Sequence, residues 1–202
     1  TVTVSLIPRL LTGTPAAPRV YAIAPGATLE KLDVLASEFG LGDPSAAGLR
    51  IHPSTAARLA VSTRTYVEKF GGTFGFSIPG IPASSAIGAG DGVAAVIQLD
   101  QTTAAQGLRS NVGFAEVAGA DAVVVVTAKS GDTGEVLGAR EFPVAAGGSF
   151  QVSLDQLVGA GAFANVYVEF TVESGAGRVL AYGVAVDNTS GDAIYMPAQR
   201  VP

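Results

Sequence analysis

The chain has no cysteine and no tryptophan, one histidine and one methionine. Without cysteine there is no disulfide framework and no thiolate metal site. A zinc site normally takes three or four His, Cys or carboxylate ligands, and a catalytic triad needs a histidine base; His52 is the sole candidate for either. Charge is scarce too. Charged residues make up 14% of the 202 positions, against about 25% in an ordinary globular domain. The net charge is -5, and the absence of a basic cluster argues against a nucleic-acid partner. No run reaches the roughly 18 uncharged apolar residues of a membrane helix, so no membrane span is expected. No signal peptide precedes the strand-like run that starts at Thr1, so the chain reads as mature or as a fragment of something longer.

What is abundant is glycine, 26 residues, within a composition that is 48% hydrophobic. The apolar excess is spread along the chain and rich in Ala and Val. A chain with so few charges must bury that surface, between subunits if not within one. The dominant period is two. In 164–174, Val166, Val168, Phe170 and Val172 alternate with Tyr167, Glu169, Thr171 and Glu173, the pattern of a half-buried strand. The N-terminal run alternates likewise, with Val2, Val4 and Leu6 on one face. Further strands are expected in 58–67, 72–79, 92–99 and 178–186, and the β-branched run 121–129 suits a central strand covered on both faces. Glycine-rich turns at 88–92, 130–135, 145–149, 173–177 and 188–192 separate them. Helical pattern is confined to about two turns in 29–39 and about one in 153–159.

The chain repeats itself. Gly26 and Gly148 stand 122 positions apart, as do Leu32-Asp33 and Leu154-Asp155. Leu59-Ala60 then matches Leu180-Ala181 at an offset of 121, and Pro79 matches Pro197 at 118. Matches in constant order with a slowly drifting offset indicate a duplication. The fold class expected is all-β: two tandem Ig-like antiparallel β-sandwich repeats with minor helical turns. The first repeat spans 1–80 and lacks its opening strands, 81–107 is a linker or hairpin, and 108–202 is the second repeat.

Arg109-x-Asn111-hydrophobic-Gly113 opens the second half, and Asp187-Asn188, Gly191-Asp192 and Pro197 close it. These positions resemble an all-β repeat found towards the C-termini of long secreted bacterial proteins. Thr63-Arg64-Thr65-Tyr66 and the stretch 71–80 resemble the unit before it. The resemblance covers most of the chain and implies an extracellular or cell-surface module, with no activity attached. The first half departs from the pattern in having no Arg-x-Asn strand.

Candidate sites are few. The knot 187–192 offers Asp187, Asn188 and Asp192 as calcium ligands, but its glycine is misplaced for an EF-hand and no Glu follows. Asp and Asn side chains that cap nearby amides, with Gly at positive φ, make a turn the better reading. Asp187 and Asp192 as an acid–base pair have no distinctive setting. Gly88-x-Gly90-x-Gly92 lacks the third glycine of a dinucleotide loop and its βαβ surroundings. His52 reads as a solvated strand residue. Tyr66, Phe70, Phe74 and Phe76 form the densest aromatic patch, and core packing is its expected role.

The function class expected is a non-catalytic extracellular module of structural, assembly or adhesive type, not an enzyme, with no cofactor. The alternative is a carbohydrate- or calcium-dependent binding module, with glycan as partner. A first repeat without opening strands leaves unpaired edges and uncovered side chains, Val2, Val4 and Leu6 among them. An upstream segment, the strand 92–99, or a strand from another subunit could fill the gap. Self-association through sheet edges near the N-terminal half, with a fibre as the limiting case, is the expectation carried forward.

Overall fold

The computed structural model describes residues 1–9, 16–43, 45–69 and 71–201. In the N-terminal part lie β1 (Val2–Pro8), β2 (Arg19–Tyr21), α1 (Val34–Phe39), β3 (Ala47–Pro53), β4 (Ser62–Lys69) and β5 (Gly72–Pro79). Next come β6 (Ile87–Gly88), β7 (Val93–Gln101), β8 (Leu108–Glu116), β9 (Ala122–Ser130) and β10 (Val136–Val144). The chain continues with β11 (Ser149–Ser153), α2 (Leu154–Val158), β12 (Phe163–Gly175), β13 (Arg178–Asp187), β14 (Ala193–Pro197) and β15 (Gln199–Val201). The protein is an all-β sandwich of antiparallel sheets with two short helices. No helix among the described residues is long and apolar enough to cross a membrane.

From β6 onward two sheets face each other. One has the order β10-β9-β12-β7-β15, the other β11-β8-β13-β14, with β6 also paired to β13. The period-two pattern supplies the core. Val166, Val168, Phe170 and Val172 of β12 are at most 2% exposed. They join Leu99, Val112, Phe114, Val124 and Val126 in one cluster between the sheets. Burying a side chain of this size contributes about 1.5–3 kcal/mol, which makes the facing layers the main stabilising element.

The sequence and the structure differ in four places. β9 lies inside its sheet, but only Ala122, Val124, Val126 and Ala128 are buried, and the intervening residues are half-buried, so its other face is not covered as the first is. The helix expected over 29–39 is the six-residue α1, entered through Asp33 in the left-handed region (φ 48°) and without buried residues. So short a helix has too few internal hydrogen bonds to persist without tertiary support. Arg19 Nε supplies some by donating to Glu38 O at 2.7 Å. The segment 81–107 is not a linker: β7 sits inside a sheet between β12 and β15, because its Ala94, Val96 and Leu99 belong to the core cluster. Finally, Val2, Val4 and Leu6 are buried, at 6–8% exposure, not uncovered. β1 is paired on both sides, with β2 over Val2–Val4 and with β3 over its whole length.

Candidate functional site

The N-terminal part holds two separate pieces, the sheet β2-β1-β3 and the hairpin β4-β5. Each has a counterpart in the complete sandwich. The order β2-β1-β3 matches β10-β9-β12, and β4-β5 matches β13-β14. The two hairpins agree in hydrogen-bond register. Ser62 stands opposite Pro79, and Gly80 N donates to Val61 O at 2.7 Å. Tyr182 stands opposite Pro197, and Ala198 N donates to Ala181 O at 2.9 Å. The ladder therefore sets Val61 in the place of Ala181, one residue beyond what the Leu59-Ala60 match implies. The short helices agree less closely: Leu154 is fully buried, whereas Leu32 is 73% exposed.

Among its described residues the N-terminal part has no match for β7 and β8. In the complete sandwich β7 pairs with β12 and β8 with β13. Among the described residues nothing pairs with the outer edge of β3 or of β4. The backbone groups on the β4 edge follow from the alternation of an antiparallel ladder. The Gly80–Val61 bond makes Val61, Thr63, Thr65 and Val67 the residues that bond β5, so the amides and carbonyls of Ser62, Arg64 and Tyr66 point outward. Their counterparts Tyr182, Val184 and Val186 face Gly113, Asn111 and Arg109 of β8. Among the described residues no strand takes, beside β4, the place that the Arg-x-Asn-x-Gly strand takes beside β13.

Side chains along this edge are also exposed. Tyr66 is 48% and Val67 51% exposed, and Leu59 just before β4 is 39% exposed. An open strand edge with apolar flanks is a template for further pairing. The sequence placed the open edge at β1. Its true position on β3 and β4 depends on sheet order, and only the missing Arg-x-Asn strand hinted at it.

The N-terminal part rests on the β11-β8-β13-β14 sheet. Ser149 Oγ donates to Pro8 O at 2.8 Å, Arg50 Nη2 donates to Glu116 O at 3.3 Å, and Gly75 N donates to Asp192 Oδ1 at 3.2 Å. Phe76 stacks on Tyr195, so that ring of the aromatic patch joins the two parts. Tyr182, Gly113 and Gln151 lie opposite one another on the face turned away from the main core, and the Tyr182 hydroxyl donates to Gln151 Oε1 at 3.1 Å.

The residues singled out from sequence fall into structural roles. Asp187 Oδ1 accepts from Thr189 N, Ser190 N and Ser190 Oγ at 2.7–2.9 Å, and Gly191 takes φ 79°. The Ser190 amide is the first cause holding the Asp187 carboxyl below its usual range. Asn188 Oδ1 accepts from Arg109 Nη1 at 2.8 Å, and its Nδ2 donates to Ala104 O. Asp187, Asn188 and Asp192 thus turn to three different protein partners, the arrangement of a turn. Among the described residues no three His, Cys, Asp or Glu side chains group as a metal site would require. His52 is an exposed residue on β3. Gly90 and Gly92 take positive φ in the turn between β6 and β7, where Asp91 Oδ2 accepts from Gly88 N, Arg178 Nη2 and Arg200 Nη2. Phe70 lies outside the described residues. Comparison with known proteins finds no family model that matches the chain, no matching curated protein and no matching solved structure.

Proposed function

We propose that the chain is a non-catalytic structural module, built of two tandem Ig-like repeats, that assembles with further β-repeats through open sheet edges of its N-terminal part. An extracellular or cell-surface setting fits this reading. The observation that carries it is the pairing deficit of β3 and β4 set against their counterparts β12 and β13. An open strand edge is a template for pairing with another chain. In a preparation of this chain alone, the copies are the available partners, and contacts that run head to tail extend into a fibre.

Sedimentation velocity over a wide concentration range tests the reading. Mass rises with concentration, and Val67→Lys, which sets a charge among the exposed apolar residues of β4, suppresses the rise. A species that stays monomeric throughout, in wild type and variant alike, overturns it.

A further inference from the structure

We propose that the β2-β1-β3 sheet is held on the sandwich by an acid-sensitive latch: protonation of the buried Glu116 carboxylate releases this sheet, while the β4-β5 hairpin stays seated. The inference concerns a contact within the chain and is independent of the assembly reading.

The sheet is a piece that can move as a unit. β1 pairs with both β2 and β3, and Thr1 O accepts from Ser54 N at 2.9 Å, so its ladder needs nothing from the sandwich. Val2, Val4, Leu6 and Ile7 are buried, yet none belongs to the core cluster between the facing sheets. Residues 54–60, which lead from β3 towards β4, form no strand and are exposed. Among the described residues two hydrogen bonds join the sheet to the sandwich, from Ser149 Oγ to Pro8 O and from Arg50 Nη2 to Glu116 O. The hairpin has separate ties, from Gly75 N to Asp192 Oδ1 and from the ring of Phe76 to that of Tyr195.

Both points that hold the sheet lie in one cluster centred on a carboxylate. Glu116 ends β8 and Ser149 begins β11. Gly147 N donates to Glu116 Oε2 at 2.8 Å, and Glu116 N donates to Gly148 O at 2.9 Å. The carboxylate also accepts from Gly119 N at 2.9 Å and from the amides of Ala118 and Arg178. An ionised carboxyl accepts on both oxygens, whereas the protonated form turns one of them into a donor. The added proton therefore faces amide donors, and at least one amide must turn away. Movement of the turn at 117–119 shifts the Glu116 carbonyl, and movement of the turn at 145–148 shifts Ser149, so either withdraws a holding point. Three charged groups surround the cluster. Arg50 on β3 reaches the Glu116 carbonyl, Asp121 Oδ1 accepts from Ala146 N at 3.0 Å, and the Arg178 guanidinium on β13 is engaged by Asp91. Burial acts to raise the Glu116 carboxyl, but the amides outweigh it and hold it below the usual range. The latch is thus closed at and above the ordinary glutamate value of about 4.3 and opens as the pH falls below it.

The test is amide-nitrogen NMR relaxation of the full chain across a pH series. At neutral pH the amides of β1 and β3 share one rotational correlation time with those of β9 and β13. As the pH falls through the Glu116 titration, followed by its carboxyl carbon shift, the β1 and β3 amides take a shorter value and those of β5 do not. Glu116→Gln, which cannot ionise and carries a donor in place of one oxygen, shows this split already at neutral pH. Asp121→Asn and Asp192→Asn leave the wild-type midpoint in place. A chain that keeps one correlation time until it unfolds as a whole overturns the proposal. So does a split whose midpoint is the same in wild type and Glu116→Gln, or one in which β5 departs together with β1 and β3.

Discussion

The ring of Phe76 lies parallel to that of Tyr195, at 5° with 6.4 Å between centroids. Tyr195 stacks in turn on Tyr182 at 5.5 Å. A side chain of the N-terminal hairpin therefore caps an aromatic stack on the C-terminal sandwich, and the two parts are joined by apolar contact as well as by the hydrogen bonds of Ser149, Arg50 and Gly75.

Burial, with Tyr182 beside it, pushes the Tyr195 phenol up to about 12. A tyrosine whose folded value exceeds its unfolded one keeps its stabilising contribution below the unfolded value, about 10. That contribution is lost as the pH rises towards the folded value. Phe76→Ala uncovers the ring and brings its ionisation down towards the ordinary range, which ultraviolet titration of the phenolate band reads directly. The lost ring pair costs about 0.5–1.5 kcal/mol. A Tyr195 titration that does not move in the variant means that Phe76 does not cover it.

Gly113 carries a second prediction, within the sandwich itself. Its missing side chain is what lets Tyr182 cross β8 and reach Gln151. In Gly113→Ala the new Cβ meets both a backbone oxygen and the phenol at 2.7 Å, so the strand or the ring must shift. Overpacking of this kind costs about 1–3 kcal/mol. Urea unfolding should show a lower midpoint, with Tyr182→Phe in the same background recovering little, because the contact with Phe150 O remains.

Much of this architecture is legible in the sequence, for reasons visible in particular residues. The alternation of Val166, Val168, Phe170 and Val172 dictates a half-buried strand in any sheet order. Pro79 and Pro197 hold like register positions in the hairpins β4-β5 and β13-β14, each followed by the same backbone hydrogen bond. The Asp187 cap on Thr189 and Ser190 is local, so that part of the 187–192 turn can be read without tertiary information, whereas the bonds of Asn188 to Arg109 and of Asp192 to Gly75 cannot. The open edges could not be placed in the same way. Which strand flanks β3 or β4 is decided by pairing between segments far apart in the chain, and alternation in 2–7 says which face is apolar but not what covers it. The β7 strand was misplaced for the same reason: Val93–Gln101 has strand character, but its insertion between β12 and β15 is a property of the assembled sheet.

The Asp187 turn predicts a lack of response to calcium. Its Oδ1 is occupied by three protein donors, so neither added calcium nor a chelator should move the melting temperature. Asp187→Ala, by contrast, lowers it, because the Ser190 and Thr189 amides lose their acceptor in the loop that feeds β14. Calcium-dependent stabilisation of several degrees would falsify the turn reading, since a metal that binds only the folded state must raise its stability.

Glu116 is fully buried in the sandwich, at 0% exposure. Burial acts to raise its carboxyl, but the amides of Gly147, Ala118, Gly119 and Arg178 all donate to it and hold it below the usual carboxylate range. These donors come from the ends of three segments, the turn after β8, the turn before β11 and the start of β13, so one carboxylate ties the rim of the sandwich together. A lowered folded value means that the contribution is present above the unfolded value, about 4.3, and is lost as the pH falls through the folded one. Glu116→Gln keeps the shape but replaces one acceptor oxygen with a donor that faces backbone amides. The cost at neutral pH should be about 1.5–3 kcal/mol, the range for a hydrogen bond to a charged group. The variant should also lose part of the acid sensitivity of the wild type. Stability measured by denaturant at a series of pH values separates the two effects: the curves lie apart at neutral pH and converge as the acid limb is entered. Curves that stay parallel into acid would mean that Glu116 is not the group whose protonation loosens the rim.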